Sequence, residues 1–136
     1  MRAELEPSID ALTERIIAAA FAVSNELGHG FLESVYKNAF VEELLANDLH
    51  GVMERPFPIH YRGKLVGRYI ADLVVEDTVI VELKAIDALT KAHQAQVLNY
   101  LKASRLPIGL LFNFGQPRVE VRRVFLPKSV KSVVIL

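Results

Sequence analysis

The spacing of apolar residues changes along the chain, and this change most constrains the fold. Up to about residue 47 the spacing is that of helices, from about 52 to 86 it is that of strands with turns, and a further helical segment and two strand segments follow. A strand that rejoins the sheet after a helix needs a crossover connection. The order α-α-β-β-β-α-β-β therefore predicts an α/β fold, a mixed sheet flanked by helices.

Local signals suggest where each element begins and ends. Ser8 is a candidate cap for the first helix, and Gly28 follows its last turn. The predicted elements are, in order, helices over about 9–27 and 33–47, a three-stranded meander with turns at 62–64 and 76–78, a helix over about 90–104, the strands IGLLFNFG and VEVRRVFL, and a last short apolar segment, SVVIL.

Composition limits the class of protein. The 136 residues are 51% hydrophobic and include no cysteine, so we expect one domain spanning 1–136, without disulfides, zinc fingers or thiol catalysis. The acidic N-terminus lacks an apolar leader, and no apolar run approaches the roughly 18 residues that span a bilayer. We therefore expect a cytoplasmic protein with no membrane partner.

Charge is unevenly distributed although the formal net charge is zero. Residues 1–54 contain three Lys and Arg against ten Asp and Glu, whereas 105–136 contain six against one. Overall neutrality argues against strong non-specific binding to nucleic acid. A local basic face remains open, and Arg118, Arg122 and Arg123 near a strand edge are candidates for phosphate contacts, with a solvated face as the alternative.

A charged pair interrupts the apolar run VIVELKAI. Glu82 and Lys84 are two residues apart, so in a strand they share one face. If the turn at 76–78 is a three-residue loop, Asp72 lies opposite Glu82; a two-residue loop would shift this register. Two opposed carboxylates destabilise a sheet unless a cation lies between them, and oxygen ligands suit magnesium. The alternative is a structural charge pair on a solvated strand face.

Two helices carry further polar candidates. Gln96 and Tyr100 lie four residues apart on the third helix, with His93 on the same stripe, and Glu33 and Tyr36 lie three apart on the second. Each also has an ordinary explanation: Glu33 as a first-turn acid that favours the helix dipole, Tyr36 as a core residue, and the others as boundary positions.

Three motifs together resemble a known family. Gly30-Phe-Leu-Glu33-Ser-Val-Tyr36 is similar to the signature of the GxxExxY proteins, a branch of the PD-(D/E)XK nuclease superfamily. Asp72 followed by Glu82-Leu83-Lys84 resembles the superfamily's D…ExK core, and Gln96 to Tyr100 resembles its QxxxY motif. The similarity runs from about Gly28 to Arg123, and Ala71 stands where the superfamily motif has proline.

The resemblance implies a restriction-endonuclease-like αβββαβ core with an extra N-terminal helix, and a role for each motif residue. It implies metal ligation by Asp72, Glu82 and the Leu83 carbonyl with support from Glu33, a phosphate or water contact by Lys84, and positioning by Gln96 and Tyr100. The implied activity is hydrolysis of phosphodiester bonds with Mg²⁺, or Mn²⁺ as a substitute.

The expected partner is nucleic acid, with DNA as the first choice, and a homodimer would supply the two sites that cutting both strands requires. A second hypothesis is a nucleic-acid-binding or protein-interaction module that keeps the fold without catalysis. A third is an enzyme acting on a small phosphorylated molecule, because a fold alone does not fix function.

Overall fold

The computed structural model describes residues 7–126 and confirms the predicted order of elements. The elements are α1 (Pro7–Leu27), α2 (Glu33–Ala46), β1 (Gly51–Tyr61), β2 (Lys64–Val75), β3 (Val79–Lys84), α3 (Lys91–Ser104), β4 (Ile108–Asn113) and β5 (Glu120–Phe125). The SVVIL segment lies outside the described residues. The prediction that Ser8 caps α1 was wrong, because α1 already includes Pro7, whose fixed φ suits a first helical turn.

The sheet has five strands in the order β1-β2-β3-β4-β5. The β3–β4 pair is parallel and the other pairs are antiparallel, so α3 makes the expected crossover between two parallel neighbours. Val75 pairs with Val79, which confirms the three-residue loop and excludes the shifted register. The predicted mixed sheet flanked by helices is therefore confirmed.

Two apolar layers cover the two faces of the sheet. On one face α1 and α2 bury side chains such as Ile16 and Phe40 against Leu73, Val81 and Phe112. On the other face α3 packs on the sheet, with the core residues Val97, Leu101, Val74, Ile80 and Leu111. Because side chains alternate along a strand, the even-numbered residues of β3, including Glu82 and Lys84, belong to the α3 face.

The β1–β2 hairpin is longer than the strands beside it. β3 pairs with β2 only over Leu73–Val75, whereas β1 follows β2 as far as the Tyr61–Lys64 pair. Residues 55–61 and 64–71 therefore form a two-stranded ribbon beyond the pairing with β3. Within residues 7–126, no helix has the length and apolar character to cross a membrane.

Candidate active site

Asp72 and Glu82 lie where the β2–β3 pairing opens. The last backbone pair is Leu73 with Val81, and the next residues in the same register are Asp72 and Glu82. Their side chains contact the opposite strand: the Asp72 amide donates to Glu82 Oε2 at 2.7 Å, and the Leu83 amide donates to Asp72 Oδ2 at 2.8 Å. The two carboxylates thus face the same gap between the strands, as the register predicted.

Burial makes Glu82 an unusual acid. Its exposed fraction is 3%, and burial, followed by the negative charge of Asp72, raises the pKa of Glu82 to about 8. The hydrogen bond from the Asp72 amide and the charge of Lys84 act in the opposite direction. Burial and the charge of Asp72 therefore both disfavour the ionised form of Glu82, and a cation bound between the two carboxylates would favour it.

Without metal, the stability of the protein should fall as the pH rises from about 5 to about 8. In this window Glu82 is protonated in the folded protein, with a pKa of about 8, but ionised in the unfolded chain, with a pKa near 4.5. The unfolded state then binds fewer protons, so higher pH favours unfolding. Urea unfolding in EDTA at several pH values measures this dependence.

Glu82→Gln should flatten that pH dependence, because the amide keeps an oxygen acceptor for the Asp72 N–H but does not titrate. The control is Glu42→Gln, which changes an exposed acid on α2 and should leave the dependence as in the wild type. Equal pH dependence in the wild type and Glu82→Gln would contradict the assignment.

Lys37 also belongs to the site, although the sequence did not single it out. Its Nζ donates to Asp72 Oδ1 at 3.1 Å and lies 3.9 Å from Glu33 Oε2. Burial lowers the pKa of Lys37, but the hydrogen bond and charge of Asp72, with the charges of Glu33 and Glu54, outweigh burial and raise it. Lys37 therefore joins Glu33 of α2 to the strand carboxylate, one helical turn from the motif position.

Glu54 is a second residue that sequence reasoning missed. The β1–β2 register places it opposite Asp72, but the pairing skips both residues, and Glu54 has a left-handed φ of 54°. Such a φ is uncommon for a residue with a side chain and marks a local distortion of the strand. Asp72 therefore lies at an interruption of both pairings of β2, where its side chain is not confined by a regular ladder.

Lys84 ends β3 on the same face as Glu82, and its charge acts on the Glu82 carboxyl. The Leu83 amide points to Asp72, and the Leu83 carbonyl projects from the same edge of the strand, because N–H and C=O of one residue share an edge. Around the gap the site thus presents the carboxylates of Asp72 and Glu82, the Leu83 carbonyl and the two ammonium groups of Lys37 and Lys84.

Buried Asn113 fixes the chain after Lys84. Its Oδ1 accepts hydrogen bonds from the Ile86 and Gly115 amides, both at 2.9 Å, and its Nδ2 donates to Ile86 O at 3.0 Å and Glu120 Oε1 at 2.8 Å. An asparagine inside an apolar strand gave only a weak sequence signal, because its partners are distant in the chain. The network holds the segment that leads from β3 to α3.

On α3, Tyr100 faces the carboxylates. Burial and the charges of Glu82, Asp72 and Tyr69 raise the pKa of Tyr100 to about 12, so its hydroxyl is protonated near neutral pH. Gln96, one turn earlier, is exposed. His93 lies at the helix start, where its Nδ1 accepts the Thr90 amide at 2.9 Å, an arrangement that leaves the neutral ring with its proton on Nε2.

The sequence matches a known protein family over most of its length. The model of the PD-(D/E)XK nuclease superfamily matches residues 10–124, which is most of the chain and includes every motif residue described above. The chain belongs to the PD-(D/E)XK nuclease superfamily. Members of this superfamily are typically nucleases that use divalent metals, and the five-stranded mixed sheet with its helices is consistent with the predicted restriction-endonuclease-like fold.

A solved structure supports the fold. The crystal structure of SSO0001 is similar to this PD-(D/E)XK chain with a TM-score of 0.56 and 19% sequence identity, over 69% of this chain and 50% of SSO0001. The chain thus spans about half the length of that protein, and identity at this level shows the fold alone. No curated protein matches the sequence.

The segment from Gly30 to Tyr36, which resembles the GxxExxY signature, is held in place by contacts of Tyr36 in this superfamily member. Tyr36 is fully buried; its hydroxyl donates to Gly28 O at 2.7 Å and accepts the Phe31 amide at 3.2 Å. Its ring stacks on Phe114 with centroids 4.8 Å apart. Gly30 has a φ of 114°, which favours glycine. The motif therefore shapes the turn before α2, whose first residue, Glu33, lies one helical turn from Lys37.

The three arginines predicted to contact nucleic acid do not form one surface. Arg122 and Arg123 are consecutive in β5 and point to opposite faces of the sheet. Arg123 donates to Thr13 Oγ1 at 2.9 Å and pairs with Glu14 of α1 at 3.0 Å. Arg122 lies 3.8 Å from Glu120, and Arg118 is exposed before the strand. Their role in binding stays a prediction.

The residues of the PD-(D/E)XK site fit a divalent cation. Asp72 and Glu82 share one gap, where burial together with the charge of Asp72 raises the pKa of Glu82. Among residues 7–126, however, no three His, Asp or Glu side chains lie close enough to form a metal site. The carboxylates could therefore supply two of the ligands, with the Leu83 carbonyl and a substrate phosphate completing the set.

Proposed function

We propose that the chain is a magnesium-dependent nuclease that hydrolyses phosphodiester bonds in nucleic acid, with DNA as the first candidate. The observation that carries the proposal is the pair formed by Asp72 and Glu82 at the opening of the β2–β3 hairpin, with Lys84 on the same face. The superfamily match supports a nuclease, and the close pair formed by half-buried Asp72 and buried Glu82 supports a divalent cation as cofactor.

Each residue would have a distinct task. Asp72, Glu82 and the Leu83 carbonyl would hold Mg²⁺, and Glu33 would support the site from α2 through Lys37, which contacts both Glu33 and Asp72. The bound ion would polarise the phosphoryl oxygen and lower the pKa of the attacking water. Lys84 would stabilise the negative charge that develops on the phosphate, an interaction that gains strength in a partly buried site.

The residues of α3 would orient the substrate. Tyr100 keeps its proton, since its pKa is about 12, and its hydroxyl can donate to a phosphate oxygen. Gln96 is exposed one turn away and can hydrogen-bond a water or a phosphate.

We assign the chain to the GxxExxY branch on the arrangement of Gly30, Glu33 and Tyr36. Tyr36 holds the turn before α2, and Glu33 begins that helix one turn before Lys37.

The wild-type protein should cleave labelled DNA in Mg²⁺ and stop when EDTA is added, because the carboxylates alone provide no strong electrophile. Gel assays with single- and double-stranded DNA and with the matching RNA measure the activity and its substrate. Cleavage that continues unchanged in excess EDTA, or no cleavage of any of these substrates in Mg²⁺ or Mn²⁺, would contradict the proposal.

A second candidate is a binding module that retains the fold without turnover. Two observations favour it: Lys37 already neutralises Asp72 at 3.1 Å, and residues 7–126 contain no group of three metal-binding side chains. Titration calorimetry with Mn²⁺ separates the two functions. Heat of Mn²⁺ binding that is seen in the wild type and disappears in Glu82→Gln favours the nuclease. If Mn²⁺ gives no heat of binding, whether or not an oligonucleotide is present, the binding module is favoured.

A further inference from the structure

A basic groove lies beside the candidate active site. It has a volume of about 390 Å³ and lies between the C-terminal half of α3 and the β1–β2 ribbon. Its polar lining consists of His60, Tyr69, Asn99, Lys102 and Arg105, with no carboxylate among the lining residues. The groove therefore combines two permanent positive charges, hydrogen-bonding side chains and one aromatic ring.

Within residues 7–126, the positive charges of the groove have no ion-pair partner. Within the described part of the chain, neither Lys102 nor Arg105 takes part in an ion pair, whereas Arg55, Arg122 and Arg123 each have a carboxylate partner. In a chain of zero formal charge, such a local excess attracts anionic ligands. Among the described residues, this absence of ion pairs distinguishes the groove from Arg122 and Arg123 of β5.

Two tyrosines whose rings are in tilted contact connect the groove to the carboxylates. The ring of Tyr69, which lines the groove, lies 5.2 Å from the ring of Tyr100, centroid to centroid. Tyr100 is in turn close enough to Glu82 and Asp72 for their charges to raise its pKa. Tyr69 is also three residues before Asp72 on β2. A nucleic-acid strand lying in the groove would thus continue to the carboxylates.

We propose that this groove holds a single nucleic-acid strand on its way to the active site. Lys102 and Arg105 contact backbone phosphates, Asn99 and His60 donate to neighbouring oxygens, and the half-exposed ring of Tyr69 stacks on a base. Basic grooves with aromatic rings are the usual means of binding single strands without sequence preference. The inference rests on the proposed nuclease function, since it supplies the substrate path for that site.

Binding can be measured apart from catalysis by fluorescence anisotropy with a short labelled oligodeoxythymidine in EDTA. Lys102→Gln with Arg105→Gln should weaken binding about tenfold and reduce the slope of log K against log salt by roughly 1.4, which corresponds to two phosphate contacts on a single strand. Arg15→Gln removes an exposed positive charge from α1, on the opposite face of the sheet, and should change affinity less than about twofold.

Two substitutions at Tyr69 test whether its ring stacks on a base. Tyr69→Ala should weaken binding about tenfold, whereas Tyr69→Phe, which keeps the ring, should bind like the wild type. Unchanged binding in Tyr69→Ala, unchanged binding in the Lys102 and Arg105 variant, an equal loss from Arg15→Gln, or no binding by the wild type would each overturn the inference.

The outcomes separate the groove from the proposed activity. If the groove variants lose binding in EDTA but the wild type never cleaves in Mg²⁺, the groove stands and the nuclease function fails. If the wild type cleaves and the groove variants bind and cleave equally well, the nuclease function stands and the groove fails.

Discussion

Asp72→Asn should reduce Mg²⁺-dependent cleavage by at least about a thousandfold, the scale expected when an enzyme loses its main electrostatic contact to the reacting group. The substitution removes one of the two carboxylates that face the gap between β2 and β3. It keeps an oxygen that can accept the Leu83 amide. The gap between β2 and β3 should therefore keep its structure. Initial rates of cleavage of labelled DNA measure the loss of activity.

The control for this substitution is Asp77→Asn in the turn between β2 and β3. Asp77 has a left-handed φ of 54°, which asparagine tolerates, and it pairs with Arg55 away from the carboxylates.

Lys84→Met should lose activity on a similar scale while the protein still binds Mn²⁺, because Lys84 acts on the phosphate. Full activity in both Asp72→Asn and Lys84→Met would refute the assigned site.

Tyr36→Ala should be the most destabilising of the substitutions considered, by about 3–5 kcal/mol in the free energy of unfolding. Tyr36 is fully buried, stacks on Phe114 and bonds to Gly28 O and the Phe31 amide. Alanine leaves a cavity and removes the partner of both backbone groups. Urea unfolding followed by circular dichroism measures the change.

Tyr36→Phe separates the hydroxyl from the ring and should cost about 1–3 kcal/mol, since it leaves the Gly28 carbonyl without its donor. The matched control is Tyr61→Ala, whose ring is 60% exposed at the end of β1 and whose loss should cost less than about 1 kcal/mol. Similar stability of Tyr36→Ala and Tyr61→Ala would show that the motif tyrosine has no structural role.

The architecture was predictable because its signals are local. Apolar spacing distinguished helices from strands, the three-residue turn at 76–78 set the register of Val75 with Val79, and that register placed Asp72 opposite Glu82. The crossover through α3 followed from chain connectivity. These features depend on residues close in sequence, so one sequence sufficed to predict them.

The missed residues depend on contacts between distant segments. Lys37 reaches Asp72 across a separation of 35 residues, and Arg123 reaches Thr13 across 110. A lysine on a helix surface or an arginine in an alternating strand has the same local pattern whether it is solvated or paired. The distortion at Glu54 had no local sign either, because neither glycine nor proline occupies that position.

Asp72 and Glu82 together should hold a divalent cation. A crystal structure grown with Mn²⁺ tests it most directly through the anomalous signal of the metal. The account predicts a peak roughly 2.1 Å from an oxygen of each carboxylate, with Lys37 Nζ moved away from its 3.1 Å contact with Asp72 Oδ1. No peak between the two carboxylates at saturating Mn²⁺, with Lys37 still bonded to Asp72, would contradict the account.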